Sequence, residues 1–333
     1  MALSASLDYR FVGRRAMNSL ARFILRRLAL LLLTLFAVSV LIFSITQLLP
    51  GDVATMILGM QATPQDLATL RSQLGLDQPA IVQFGRWLGG VLQGDLGVST
   101  RFQRPVVEII AQPLKNSFIL SAAGIFFAVP LGLALGLVCA LRRNSPLDYA
   151  ISSVTIFAAA MPEFVTGGLM IIVFSTWLGW LPPFAGSGSA RTFVQSISEL
   201  ILPVLSLSFV ILAYIIRMMR ASATEVLDSA FVKAALLKGL DRRRVIMFHV
   251  LPVALGPTLS VIALSIGWMA GGLVIVESLF GYPGIGRMLV FVIRNRDVPL
   301  LQVISLIIAA VYAIANLAAD VGQRLLDPRV GAP

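Results

Sequence analysis

Two carboxylates stand where a chain this apolar has little reason to keep a charge. Glu163 lies between Pro162 and Phe164, just after Met161, well inside the apolar stretch from Tyr149 to Leu178. An intramembrane carboxylate is costly and is normally turned toward a bundle interior or a watery cavity. Its chemistry there would be attraction of a cationic group along a solute path. The alternative is that Glu163 marks a helix break at Pro162 and reaches water at the outer face. Glu277 opens the run Glu277-Ser278-Leu279-Phe280-Gly281-Tyr282-Pro283-Gly284-Ile285-Gly286-Arg287, whose glycines and proline demand a tight backbone turn. That turn is either re-entrant, walled by protein or water, or a plain external loop. The single histidine, His249, falls in a polar island, and the single cysteine, Cys139, in an apolar run. A Ser-His hydrolase, a Cys-based metal site and an intrachain disulfide are therefore not expected. The chain has no Gly-Lys-Ser or Gly-Lys-Thr, hence no P-loop. Energy for any work must come from another subunit or from an ion gradient.

The elements that position these residues follow from composition. The 333 residues are 58% hydrophobic and 13% charged, with a mean hydropathy of +0.90, too apolar for one soluble core. Six stretches are long enough to cross a hydrocarbon layer of about 30 Å, which takes about 20 helical residues: Leu28 to Leu49, Phe118 to Leu141, Tyr149 to Leu178, Leu200 to Ile216, Leu255 to Ile275 and Leu300 to Val321. The runs are continuous rather than alternating, so an all-α integral membrane protein is expected and a β-barrel is not. With the amino terminus inside, 17 of the 26 Lys and Arg fall on the cytoplasmic side, which places both termini there. The basic charge is strung along membrane-flanking loops and not gathered on a soluble face, so membrane lipid and not nucleic acid is the expected polyanion. The apolar run after Arg22, Arg26 and Arg27 is longer than a signal-peptide core and ends in no cleavage pattern, so it is read as an uncleaved first helix.

Residues 1–27 form a basic tail and 28–49 the first span. Residues 50–116 are an extracytoplasmic amphipathic segment, and 117–329 carry the remaining five spans. In the external segment Thr63 can cap a helix with Pro64 at its first position, running to Leu74 and stopping at Gly75. A second amphipathic stretch, Ile81 to Leu92, carries Phe84, Trp87 and Leu88 and ends at the turn around Gly94 and Asp95. Such a segment can lie on the membrane surface, dock an external partner, or do both.

The polar island Asp228 to Pro252 separates two spans. Asp228 or Ser229 can cap a short helix over Ala230 to Lys238, closed by Gly239 in the left-handed conformation. Asp241 can cap a second helix, with Arg242 to Arg244 in its first turn, that ends at Pro252. Ala234 and Ala235 leave one side of this knob without bulk. The three arginines alone would suit anionic headgroups as well as a protein partner.

The spacing Lys233-Ala234-Ala235, three residues, Gly239, nine residues, His249-Val250-Leu251-Pro252 resembles the E-A-A, Gly, Ile-x-Leu-Pro loop of permease subunits in ATP-driven importers. Lys233 replaces the Glu and His249 an aliphatic residue, as oligopeptide and dipeptide permeases also allow. The runs Leu48-Leu49-Pro50-Gly51-Asp52, Leu74-Gly75-Leu76-Asp77, Gly94-Asp95-Leu96-Gly97 and Leu326-Asp327-Pro328-Arg329 are similar to that family too, so the resemblance covers nearly the whole chain after residue 22. It implies the type I ABC importer permease fold, with six transmembrane helices, in a bacterial inner membrane. It further implies that Phe231, Lys233, Ala234, Ala235, Lys238, Gly239, Arg242, Arg243, His249, Leu251 and Pro252 couple to ATPase subunits; Met161, Pro162, Glu163, Phe164 and Glu277 are read, from the carboxylates themselves, as bordering the substrate path. The partners implied are a second homologous permease subunit, two ABC ATPase subunits and an extracytoplasmic solute-binding protein. No cofactor is expected in this chain, ATP and Mg being bound by the ATPases. Relatives of this type carry peptides, nickel complexes, opines or oligosaccharides, and no residue here selects among them. The alternative, an ion-gradient-driven secondary transporter, would call for internal repeats and more intramembrane charge; no convincing repeat is present.

Overall fold

In the computed structural model, residues 2–48, 55, 58, 62–186 and 193–326 are described. Almost all of them are helical, and among them the only β pairing is a bridge between Val98 and Pro105. Five helices are long and apolar enough to cross a membrane, and a sharply bent pair supplies a sixth span. The motifs at residues 49–52 and 327–329 lie outside the described residues.

Helix α1, Ala2–Leu48, contains the first span, and the basic segment before it is helical as well. α2, Pro64–Leu74, starts from a reciprocal cap: the Asp66 N–H donates to the Thr63 hydroxyl (3.2 Å) and the Thr63 N–H to the Asp66 carboxylate (3.3 Å). Gly75 closes it at φ +66°. α3, Ala80–Gln93, follows and lays Phe84 between Phe36 and Phe43 of α1.

The second span begins earlier than apolarity suggests. α4 runs Val106–Leu141, with Pro113 and Pro130 inside it, so this helix begins within the segment 50–116. Hydropathy locates the part of a helix that sits in hydrocarbon. The helix itself extends through polar turns because Val106 and Ile110 pack on Ile285, Val292, Leu300 and Ile304. The third span is not one straight helix: α5, Pro146–Ala160, and α6, Glu163–Met170 continued by a wider turn over Ile171–Trp177, are bent by 114°. Pro162 removes an N–H and pushes Met161 into extended backbone (ψ 132°).

α7, Phe193–Asp228, is longer than the stretch Leu200 to Ile216. α8, Ala230–Leu237, is followed by α9, Arg242–Val245. The second knob helix does not end at Pro252. Its backbone passes through a widened turn over Ile246–Val250, where the Leu251 N–H reaches back to the Ile246 carbonyl, and continues as α10, Leu251–Leu279. That five-residue bond opens the helix where the ring of Pro252 would otherwise press on the preceding turn. α11, Ile285–Asn295, and α12, Val298–Leu326, complete the chain.

The core lies between α4 and α7. A Cβ on Gly132 would fall 2.7 Å from Ile215 Cγ2, and one on Gly136 2.8 Å from the Ile216 carbonyl oxygen, so these two glycines let the helix backbones approach. The similar pair Gly267 and Gly271 is only half used: Gly267 touches Tyr312 and Asn316, while Gly271 meets open space. Leu33, Phe118 and Phe126 are exposed, as the lipid-facing surface of a bundle requires.

Candidate functional site

The knob is welded to the bundle from beneath. Val232, Ala235, Val245 and Val250 share one apolar cluster with Met219, Val226 and Ala254. Ser229 stands at the N-cap of α8 in extended backbone, but no side-chain cap hydrogen bond forms: the Ser229 hydroxyl donates to the Val226 carbonyl and the Asp228 carboxylate pairs with Arg143 (2.9 Å). Gly239 adopts φ +81°, and its N–H donates to the Leu236 carbonyl at 3.0 Å. Asp241 caps α9, accepting from the Arg243 N–H (3.0 Å) and more weakly from that of Arg244 (3.4 Å).

Of the two alanines only Ala234 faces outward; Ala235 is buried. Phe231, Lys233, Lys238, Gly239, Arg242, Arg243 and Pro252 are exposed, while His249 and Leu251 are half-buried. The His249 Nδ1 is enclosed without a hydrogen-bond partner. Sequence reasoning missed Leu237, which is 89% exposed. An apolar side chain at the last turn of α8, beside a glycine closure, is what marks it. A cavity of about 300 Å³ lies under the knob, bordered by Arg143, Asp228, Leu236 and Arg242.

At the other end of α10 the carboxylate of Glu277 is fully buried. It accepts from the N–H groups of Gly286 (2.7 Å) and Arg287 (3.2 Å) and from the Ser117 hydroxyl. Ser117 Oγ in turn accepts from the Ile285 N–H at 2.8 Å. Glu277 thus closes the amino end of α11, and Gly284 presses on it so closely that a Cβ there would lie 2.2 Å from the carboxyl carbon. Tyr282 donates to the Asn116 carbonyl (3.0 Å); burial, then the nearby Glu277 charge, push its hydroxyl up to about 12. Asp297, also buried, holds the Ser99 hydroxyl and the N–H groups of Thr100 and Arg101.

Glu163 is placed differently. It is the first residue of α6 after the break, half-buried, with its carboxylate over α10, where a Cβ on Gly272 would come within 2.6 Å of both oxygens. Met161 is half-buried beside it, and Pro162 and Phe164 are exposed. The structure keeps these four together and apart from Glu277, whose oxygens face backbone donors. Sequence reasoning also missed an ion pair with a buried carboxylate: the half-buried Arg220 of α7 donates through Nε and Nη2 to both oxygens of Asp148 (2.6 and 2.7 Å). Ser145 caps α5 through the Asp148 N–H, a local arrangement in which nothing points to Arg220. Among the described residues no cluster of three or more His, Cys, Asp or Glu is arranged for a metal.

Residues 132–332 match the family described as binding-protein-dependent transport system inner membrane component, and residues 20–120 match the amino-terminal region of such membrane components. The chain belongs to this family. The dipeptide transport system permease protein DppB of Alkalihalophilus pseudofirmus is 35% identical over 326 residues, covering 92% of this chain and 98% of that protein. The glutathione transport system permease protein GsiC of Escherichia coli strain K12 is 35% identical over 308 residues, with the same coverage. Among solved structures, the inward-facing MetNI methionine ABC transporter matches with a TM-score of 0.55 at 14% identity, over 66% of this chain and 97% of that one. An amino acid ABC transporter matches with a TM-score of 0.50 at 18% identity, over 67% and 94%. The fold is therefore that of ABC importer membrane subunits. This permease is a multi-pass inner-membrane transport subunit of an ATP-driven, binding-protein-dependent importer, not an enzyme, and no match favours a gradient-driven transporter.

Proposed function

We propose that the permease imports peptides or similarly small solutes, with both termini and the knob in the cytoplasm and residues 50–116 outside. The names carried by relatives at 35% identity support the substrate class, and the placing of Lys and Arg supports the orientation. A second, homologous permease subunit completes the translocation path. Two ATPase subunits bind ATP and Mg inside, and a solute-binding protein docks outside.

The observation that carries the coupling reading is the knob's construction. Phe231, Lys233, Ala234 and Leu237 on the short helix α8, Lys238 and Gly239 in the turn after it, and Arg242 and Arg243 at the start of the next helix are presented between two long helices, α7 and the unbroken run from Arg242 to Leu279. A push on such a knob is delivered directly to both helices. Ala235, His249, Leu251 and Pro252 act from behind, holding the knob in place. Gly239→Val is expected to insert and assemble normally but to hydrolyse ATP without import; normal import by that variant would reject the coupling role. Copurification of the tagged permease from native membranes should bring along P-loop ATPases and a second permease.

For the path, Glu163 with Met161, Pro162 and Phe164 is the favoured wall, because among the described residues the Glu163 carboxylate has no hydrogen-bond partner. Glu277 is assigned to holding the turn at α11 instead. Glu163→Gln should lower import of a labelled dipeptide and flatten its pH dependence; unchanged uptake at every pH would remove Glu163 from the path.

A further inference from the structure

The pair Asp148–Arg220 joins the broken third span to the helix that carries the knob. Asp148 sits in the first turn of α5, and its side chain is fully buried. Its Oδ1 accepts from Arg220 Nε and its Oδ2 from Arg220 Nη2, the two-pronged geometry that fixes angle as well as distance. Oδ2 also accepts from the Asn144 N–H (3.0 Å), and Ser145 Oγ from the Asp148 N–H (3.2 Å). Asn144 itself stands at φ +61°, so the corner between α4 and α5 is built around this one carboxylate. Two turns beyond Arg220, Asp228 at the end of α7 pairs with Arg143 on the other side of the same corner. The corner is thereby tied to α7 at two places, just where α7 gives way to the knob. Farther along the chain, α5 leads to the Met161–Pro162 break and to Glu163.

We propose that the Asp148–Arg220 clamp is the positioning element that carries movement of the knob into the broken span. This rests on the coupling role of the knob. Apolar contacts between α5 and α7 allow sliding, whereas a two-pronged ion pair does not. When α7 is displaced at its knob end, α5 must follow, and the break at Pro162 turns that displacement into a swing of α6. Arg143–Asp228, exposed on both sides, is the weaker of the two ties.

The test uses the assembled importer in liposomes, with Cys139 replaced by Ser and spin labels at two exposed positions, Phe118 on α4 and Trp177 at the far end of α6. The probe is ATP–Mg with vanadate, and ATP hydrolysis is measured in parallel. In the otherwise unaltered protein the nucleotide shifts the label-to-label distance. Asp148→Asn keeps an acceptor for the Asn144 N–H but drops the charge, and it should abolish that shift while ATP hydrolysis stays within about twofold of the parent, a change under roughly 0.4 kcal/mol. The exchange Asp148→Arg with Arg220→Asp should restore part of the shift. An undiminished shift in assembled Asp148→Asn overturns the clamp. If Asp148→Asn fails to assemble, the apolar pair Asp148→Leu with Arg220→Met takes its place, and a full shift in that pair overturns the clamp equally. Gly239→Val run alongside separates the two readings: a normal shift there rejects the knob's coupling role, whereas loss there with an undiminished shift in Asp148→Asn rejects the clamp alone.

Discussion

Gly239 and Gly284 each stand at a turn between two helices, at opposite ends of the continuous helix from Arg242 to Leu279, and they answer to different constraints. Gly239 holds φ +81° with open space around the position of a Cβ. Gly284 has φ −104°, which any residue adopts, but no room, because the buried Glu277 carboxyl lies against it. Gly239 is therefore constrained by backbone conformation alone and leaves the outer surface of the knob free. The Glu277 turn is constrained by packing and by hydrogen bonds, with the buried carboxylate already engaged by Ser117, Gly286 and Arg287. A polar residue in a membrane protein can thus serve a partner or hold its own fold, and its surroundings decide which.

That contrast can be broken or sharpened by substitution. The largest effect is expected from Glu277→Ala, which strands the N–H groups of Gly286 and Arg287 and the Ser117 hydroxyl in a buried turn, at a cost on the order of 3 kcal/mol or more. Thermal unfolding of the purified complex in detergent would show it, and an unchanged midpoint would mean that Glu277 is not what holds the turn. Gly284→Ala should follow, losing about 1–3 kcal/mol through overpacking against that carboxylate. Combining it with Glu277→Ala should recover part of the loss if the clash is the cause. Gly239→Ala should cost only about 1 kcal/mol, for left-handed backbone without steric conflict, and lower import more than stability. Smallest of all, Lys233→Gln should leave the unfolding midpoint within about 0.5 kcal/mol of the parent, so any loss of ATP-coupled import would be read as lost contact with a partner.

Much of this was legible along the chain, and the parts that were not share a cause. Thr63 and Asp66, Gly75, Gly94, Gly239 and Asp241 act within a few residues of themselves, so their types and spacing announce them. The break at Met161–Pro162 is equally local, though the 114° bend it produces is not. The helices reach Val106 and Asp228, beyond the apolar stretches, because apolarity marks the hydrocarbon layer and says nothing of polar turns that stay helical by packing. The loop at Pro252 misled for a related reason: a proline ordinarily stops a helix, but the widened turn before it removes the clash. Glu277 looked like a path residue because a carboxylate near glycines reads the same whether it faces water or a row of backbone N–H groups.

From the sequence alone came the membrane class, the number of spans, the family and the place of the knob, since apolar length, capping chemistry and motif spacing are properties of short stretches of chain. Only the tertiary structure decided that Ala235 is buried while Ala234 and Leu237 face out, that Asp148 is held by Arg220, that Glu277 closes a helix, and that Glu163 lies free over Gly272. Each of these depends on which residue, distant in sequence, occupies the space beside a side chain. That is settled by how the helices pack, and no local pattern contains it.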